Sequence, residues 1–213
     1  MTNEDYQKIL HEIKNSITFI NSSLQLVEKT HPEVTDYSYW NNATQELNSL
    51  KEMLIELSSA RLCPDIHSVP ICLKDFLTDF LAACAPFFEE TQFRCEVTFS
   101  SALPGISGDP ARLKRALFNL LKNSYEAMNR TGTIHLSAYQ QDSHIRLDLT
   151  DYGGGIPPEY LPKLFTPFET TKTDGSGLGL LITKQIIEAH GGHLIIDSRP
   201  QDGCTFSILL PCI

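Results

Sequence analysis

A chain of 213 residues with 41% hydrophobic content is long enough for one large domain or two modest ones and can fill a core. Seventeen Lys and Arg against 26 Asp and Glu give a formal charge of −9, which argues against nonspecific attraction to nucleic acid or anionic lipid, so a polyanionic ligand needs a local site. The most apolar stretch, FLTDFLAACAPFF at 76–88, is interrupted by Asp79 and is too short for a bilayer, no signal peptide opens the chain, and six cysteines without C-x-x-C spacing read as small, buried, reduced thiols.

In chain order, Tyr6, Leu10, Ile13, Ile17, Ile20, Leu24 and Val27 alternate steps of four and three, the seam of a coiled-coil helix. KTHPEVTDY breaks the pattern at Pro32, and Trp40, Ala43, Leu47, Leu50, Leu54 and Leu57 form a second seam. An antiparallel hairpin of two helices leaves much of this stripe wet, so a homodimer that completes a four-helix bundle is expected; packing of the hairpin on the C-terminal part is the alternative. CPDIHSVP at 63–70 reads as a linker. Beyond it the periods predict helices near 74–88, 110–129 and 178–190, and strands near 94–100, 132–140, 144–151, 193–198 and 204–210. Without regular βαβ alternation this is an α+β sandwich, helices on one face of a mixed sheet. The domains are drawn at 1–65 and 66–213.

Four stretches carry chemistry. In LHEIKN at 10–15, Leu10 and Ile13 hold the seam, so His11 faces outward with Glu12 beside it and Asn15 four residues on. This is not the HE-x-x-H of zinc proteases, because position 15 offers an amide. A solvent-facing imidazole is a nucleophile near neutrality, and Glu12 can accept its proton; the same pattern also suits plain helix surface. NLLKNSYEAM sets Asn119 and Asn123 one turn apart, either as surface amides or as neutral oxygen ligands for Mg²⁺ beside phosphates. LDLTDYGGGIPP ends a strand at Asp151, which can accept from an exocyclic amine such as adenine's while the glycines let a flat ring approach; an Asp and Gly turn is the alternative. TKTDGSGLGLLITKQ is a glycine-rich loop feeding a helix, where backbone N–H groups favour phosphate and Lys172 adds a movable charge. Neither G-x-x-x-x-G-K-[ST] nor G-x-G-x-x-G is present. His190 and His193 flank a glycine-terminated helix end, which suits them better than a metal site.

Placed in order, these stretches resemble the core of a two-component sensor histidine kinase: HEIKN its H box, NLLKNSYEAM its N box, DYGGGIP and GSGLGL its G boxes, LFTPFETTK at 164 its F box, with GDPARL at 108 and GCTFSILLP at 203 as flanking segments. The resemblance spans nearly the whole chain. It implies a dimerisation and phosphotransfer hairpin followed by a GHKL-type ATP-binding domain, hence an ATP-dependent protein histidine kinase. It also implies roles. His11 accepts the γ-phosphoryl group and passes it to an aspartate of a response-regulator receiver domain. Asn123, assisted by Asn119, holds Mg²⁺; Asp151 reads adenine; Gly153 and Gly155 shape the base pocket. Lys172 and the loop through Gly175, Ser176, Gly177, Leu178 and Gly179 cover the phosphates.

Asn119 stands where ATPases of the superfamily carry a glutamate that activates water, which favours transfer over hydrolysis and disfavours an ATPase clamp. A phosphorelay scaffold that does not use ATP would have no need of Asn123, Asp151 and the glycine loop. Asn15 can orient a water for attack on the phosphorylated partner, so regulator phosphatase activity is also expected. Ser16 replaces the proline usual after the H box, so a bend below His11 is expected to be missing. Glu169 replaces an aromatic common in the F box, which is expected to loosen loop packing. With ten residues before His11, no sensory domain or membrane anchor is visible in the sequence, and a cytoplasmic protein is expected.

Overall fold

The computed structural model describes residues 3–61, 66–88, 91–166, 169–170, 172 and 177–213. In the helical part, the described side chains begin at Glu12, omit Lys14, and in the second helix comprise Ser38–Gln45, Leu47, Leu50, Lys51 and Leu54. Two compact units divide at residues 62 and 63.

The first unit is a hairpin of α1 (Asn3–Thr30) and α2 (Ser38–Arg61). The helix stops where His31 donates its N–H to Val27 O (2.7 Å); Pro32 then opens a 3₁₀ turn over Pro32–Asp36, a position where its missing N–H costs nothing. Ile17, Leu47 and Leu54 are buried together, with Leu24 packed on them. Among the other described seam residues Trp40 is half-buried, while Ile13 is 41% exposed, Ile20 47%, Val27 38% and Leu50 48%. Among the described residues, one chain therefore closes only half of its seam. Ala43, expected in the seam, is exposed, and the side chains of Tyr6, Leu10 and Leu57 lie outside those described. α1 runs unbroken through Ser16, whose hydroxyl donates to Glu12 O at 2.9 Å in place of the bend a proline would impose.

The second unit has a five-stranded sheet in the order β2-β4-β5-β7-β6, with β2 (Gln92–Phe99) parallel to β4 (Thr131–Gln141). The pairs with β5 (His144–Asp151), β7 (Gly203–Pro211) and β6 (His193–Arg199) are antiparallel. Alternation puts Ile134, Leu136 and Ala138 of β4, Ile145, Leu147 and Leu149 of β5, and Phe206, Ile208 and Leu210 of β7 in the core. Helices α3 (Leu73–Phe88), α4 (Pro110–Ala127) and α5 (Gly179–Ala189) add Leu77, Leu117, Leu120, Leu121 and Ile187, each 2% exposed or less. On the opposite face Asp148 accepts from Tyr139 and from Arg146 Nε, both at 2.8 Å. Burial would raise its carboxyl pKa, but the bonds from Arg146, Ser207 and Tyr139 outweigh this and hold it below the usual range.

Two strands were not anticipated. β1 (Val69–Ile71), overlapping the end of the expected linker, pairs antiparallel with β3 (Ile106–Gly108). The thiols also divide. Cys84 and Cys204 are buried, Cys95 and Cys212 half-buried and Cys72 exposed. Burial pushes Cys95 and Cys204 up to about 12, so neither is a nucleophile at neutral pH.

α4 starts at Asp109, whose carboxylate accepts from the N–H groups of Ala111 and Arg112 (3.1 Å each) ahead of Pro110 at the first helical position. The ring of His190 caps α5 and reaches back to this point. Its Nε2 accepts from Asp109 N at 2.9 Å, which leaves Nδ1 to donate to Ile186 O at 2.7 Å. Gly108 is needed here, since a Cβ would lie 2.8 Å from His190 Cδ2. Gly191 follows at φ +70°, the left-handed end expected after α5.

Burial works to raise the Asp109 pKa, but backbone donors from Arg112, His67 and Ala111 and the Arg112 charge hold it below its ordinary value. A depressed carboxyl stabilises the fold above its unfolded pKa of about 3.9 and loses that contribution as pH falls through the lower folded value. Asp109→Ala is therefore expected to cost about 1 kcal/mol at neutral pH and little near pH 2, read by urea denaturation at both. Asp109→Asn, which keeps an acceptor, should fall between.

Candidate nucleotide-binding site

The site lies where the C-terminal half of α4, the end of β5 and the start of α5 meet. Asp151, the last residue of β5, is 2% exposed. Its Oδ2 accepts from Ser124 Oγ at 2.8 Å and its Oδ1 from Gly153 N at 3.0 Å. A buried carboxylate with one protein donor on each oxygen is held in place and keeps lone pairs for a further donor.

The loop beyond it is fixed by packing against protein. A Cβ on Gly153 would lie 2.8 Å from Ala127 O at the end of α4. Gly155, at φ +67°, would bring one against the backbone of Arg199 and Gly203 in the β6–β7 turn. Ile156 N donates to Ser198 Oγ at 2.7 Å and Gln201 N to Gly154 O at 2.9 Å, which tie the loop to that turn. Gly153 and Gly155 thus let the loop lie close against α4 and the β6–β7 turn. Gly154 is the member of the run with open space around it.

Asn119 and Asn123 lie one turn apart on α4 with different partners. Asn119 Nδ2 donates to Thr183 Oγ1 (2.9 Å), a hydroxyl fully buried on α5. A side chain on Gly179 would collide with this amide, so Gly179 lets α5 approach α4. Asn123 Oδ1 accepts from Lys172 Nζ at 2.9 Å, and the same ammonium is ion-paired with Glu126. An ammonium seated on Asn123 and Glu126 shows that the spot suits a cation. Gly177 takes φ +66° just before Leu178, which is fully buried at the start of α5. Phe165 has Lys184 Nζ 4.7 Å from its ring centroid.

The structure thus brings together Asn119, Asn123, Asp151, Gly153, Gly155, Lys172, Gly177, Leu178 and Gly179. Gly175, Ser176 and Phe168 lie outside the described residues. His11, Glu12 and Asn15 are on α1 in the other unit; Glu12 and Asn15 are exposed, and the His11 side chain is outside those described. Sequence reasoning missed Ser124, Glu126 and Thr183. A serine inside a helix directly after Asn123 was the available signal for the first, since a mid-helix hydroxyl is usually spoken for.

A mixed sheet under three helices, with a buried carboxylate at a strand end beside a glycine loop and a helix start, defines a nucleotide-binding module. Residues 108–212 match the family described as histidine kinase-, DNA gyrase B-, and HSP90-like ATPase. Over 207 residues the chain is 31% identical to the sensor histidine kinase ZraS of Salmonella typhimurium, covering 96% of this chain and 44% of that protein. The solved mycobacterial sensor histidine kinase MprB is 31% identical with a TM-score of 0.60, covering 68% of this chain and 97% of that one. The histidine kinase ThkA, solved with the response regulator TrrA, is 27% identical with a TM-score of 0.69, covering 99% of this chain and 62% of that one. The chain belongs to the two-component sensor histidine kinases. It spans less than half the length of the curated relatives it matches. Among the described residues no helix is long and apolar enough to cross a membrane.

Proposed function

We propose that this chain is the core of an ATP-dependent protein histidine kinase: it phosphorylates His11 and passes the phosphoryl group to an aspartate of a response-regulator receiver domain. The observation that carries the nucleotide half is the buried, doubly held carboxylate of Asp151 beside a cation seat on Asn123. An adenine amine would donate to Asp151. Asn123 Oδ1 would hold Mg²⁺, and any share of Asn119 falls to its Oδ1, because Nδ2 is committed to Thr183. Mg²⁺ supplies charge neutralisation of the phosphates, and the chain's own contribution is positioning. Lys172 is suited to the γ-phosphate, and the N–H groups of Gly177, Leu178 and Gly179 at the start of α5, with Gly175 and Ser176 before them in the sequence, to the β- and γ-phosphates.

On α1, Glu12 is placed in sequence to take the proton of His11 during attack, and Asn15 to orient a water for dephosphorylation of the regulator. The half-closed seam of Ile13, Ile20, Val27 and Leu50 supports a homodimer in which two hairpins form a four-helix bundle. A receiver domain is the partner because phosphohistidine needs an acceptor carboxylate, and ThkA is solved with such a regulator. The formal charge of −9 gives no support to nucleic acid, and a cytoplasmic site is part of this proposal.

Mg²⁺ and γ-labelled ATP should put acid-labile, base-stable label on a species that sediments as two chains. Acid-stable label, or none, rejects the kinase; label on a single-chain species keeps the kinase and rejects the pairing.

A further inference from the structure

Glu126 has no part in the roles above, yet it is the residue that Lys172 reaches. Asn123 and Glu126 are three apart on α4, so they share one face of the helix. Lys172, 49 and 46 residues away, donates to the first at 2.9 Å and is paired with the second. The ion-paired side chains of Lys172 and Glu126 are 39% and 32% exposed, so the contact is partly shielded from water. Lys172 is also set from its own backbone, its N–H donating to Thr170 Oγ1 at 3.1 Å. A carboxylate at this point is unfavourable for a polyphosphate unless a cation stands between them, and here the chain supplies that cation itself.

We propose that Glu126 is a positioning residue that holds Lys172 on Asn123, in the seat the functional reading gives to Mg²⁺, so that nucleotide enters by exchanging one cation for the other. This rests on that reading. In the nucleotide-free chain the ammonium neutralises Glu126 and covers Asn123 Oδ1. Mg²⁺ arriving with nucleotide takes over both tasks, and Lys172 is released toward the phosphates. Nucleotide without metal has nothing to offer Glu126 in return. Glu126 thereby makes occupancy depend on Mg²⁺ and ties the release of Lys172 to metal arrival.

The test is acylation of Lys172 in the full chain, quantified by mass spectrometry with the exposed Lys122 as internal reference. Mg²⁺·ADP is the probe, because it lacks the γ-phosphate that would cover the freed amine. In nucleotide-free protein, Glu126→Gln should raise Lys172 labelling about three- to fivefold, the range of a partly exposed ion pair, while Glu126→Asp stays near wild type. Mg²⁺·ADP should raise Lys172 labelling in the wild type, metal-free ADP should not, and Glu126→Gln should bind metal-free ADP about three- to fivefold tighter than the wild type does. Equal labelling of Lys172 in wild type and Glu126→Gln overturns the proposal, as does Mg²⁺·ADP that binds the wild type and leaves Lys172 labelling unchanged. Should Glu126→Gln not fold, the wild-type arm alone decides. A wild type that binds no Mg²⁺·ADP overturns the nucleotide reading and the exchange together, and is told apart from failure of the pairing by the nucleotide-free labelling.

Discussion

His11→Ala is expected to reduce label from γ-labelled ATP to background while nucleotide affinity stays at the wild-type value. The two readouts separate because the groups proposed for the nucleotide all lie in the second unit, whereas His11 belongs to α1 in the first. Removing the imidazole removes the only atom proposed to form the new N–P bond, so no slower route to the same product remains. Glu12→Gln tests the next layer: it keeps the nucleophile and removes the proton acceptor, so label should accumulate about 10²-fold more slowly, with affinity again unchanged. Label that survives His11→Ala would move the phosphorylated residue elsewhere, and nucleotide turnover indifferent to His11 would turn the chain into an ATPase clamp.

The framework that orients these groups was largely legible in the sequence, for a simple reason. β4 alternates apolar and polar residues over Ile134–Ala138 and β5 over His144–Thr150, since one sheet face meets helices and the other meets water, and α4 carries its leucines on a single side. The pair β1 and β3 was illegible: each has three residues, one begins Val69-Pro70, and they exist only because residues far apart in sequence, such as Pro70 and Ser107, meet. The site followed the same division. Asp151 and the glycines stand out as a strand end followed by turn residues, but their partners do not. Ser124 meets Asp151 across 27 residues, and Asn119 meets Thr183 across 64. Glu126 gave no signal, because a glutamate on a helix surface normally meets water; only the approach of Lys172 sets it apart. The glycines have partners that a sequence does not display: a Cβ on Gly153 would meet Ala127, and one on Gly155 the β6–β7 turn.

Asp151→Asn is expected to weaken ATP binding about 10- to 150-fold without unfolding the domain, and to erase the preference for ATP over ITP. The first figure is the loss of a hydrogen bond to a charged acceptor, about 1.5–3 kcal/mol. Survival of the fold follows from the partners. The asparagine oxygen can still accept from Gly153 N, and its amide can donate to Ser124 Oγ, since a hydroxyl serves as acceptor as readily as donor. Asp151→Ala would instead leave a fully buried Ser124 hydroxyl without its acceptor, so its effect on affinity would be mixed with instability. The comparison with ITP isolates the chemistry, because hypoxanthine carries a carbonyl where adenine has its amine. Facing the wild-type carboxylate, that carbonyl meets two acceptors with no proton between them, so ITP should bind far less tightly than ATP. In Asp151→Asn the amide has protons to offer, and the ATP-to-ITP ratio, read by competition against a fluorescent nucleotide, should fall toward one. A ratio unchanged from wild type would mean that Asp151 organises the loop through Ser124 and Gly153 and never touches the base.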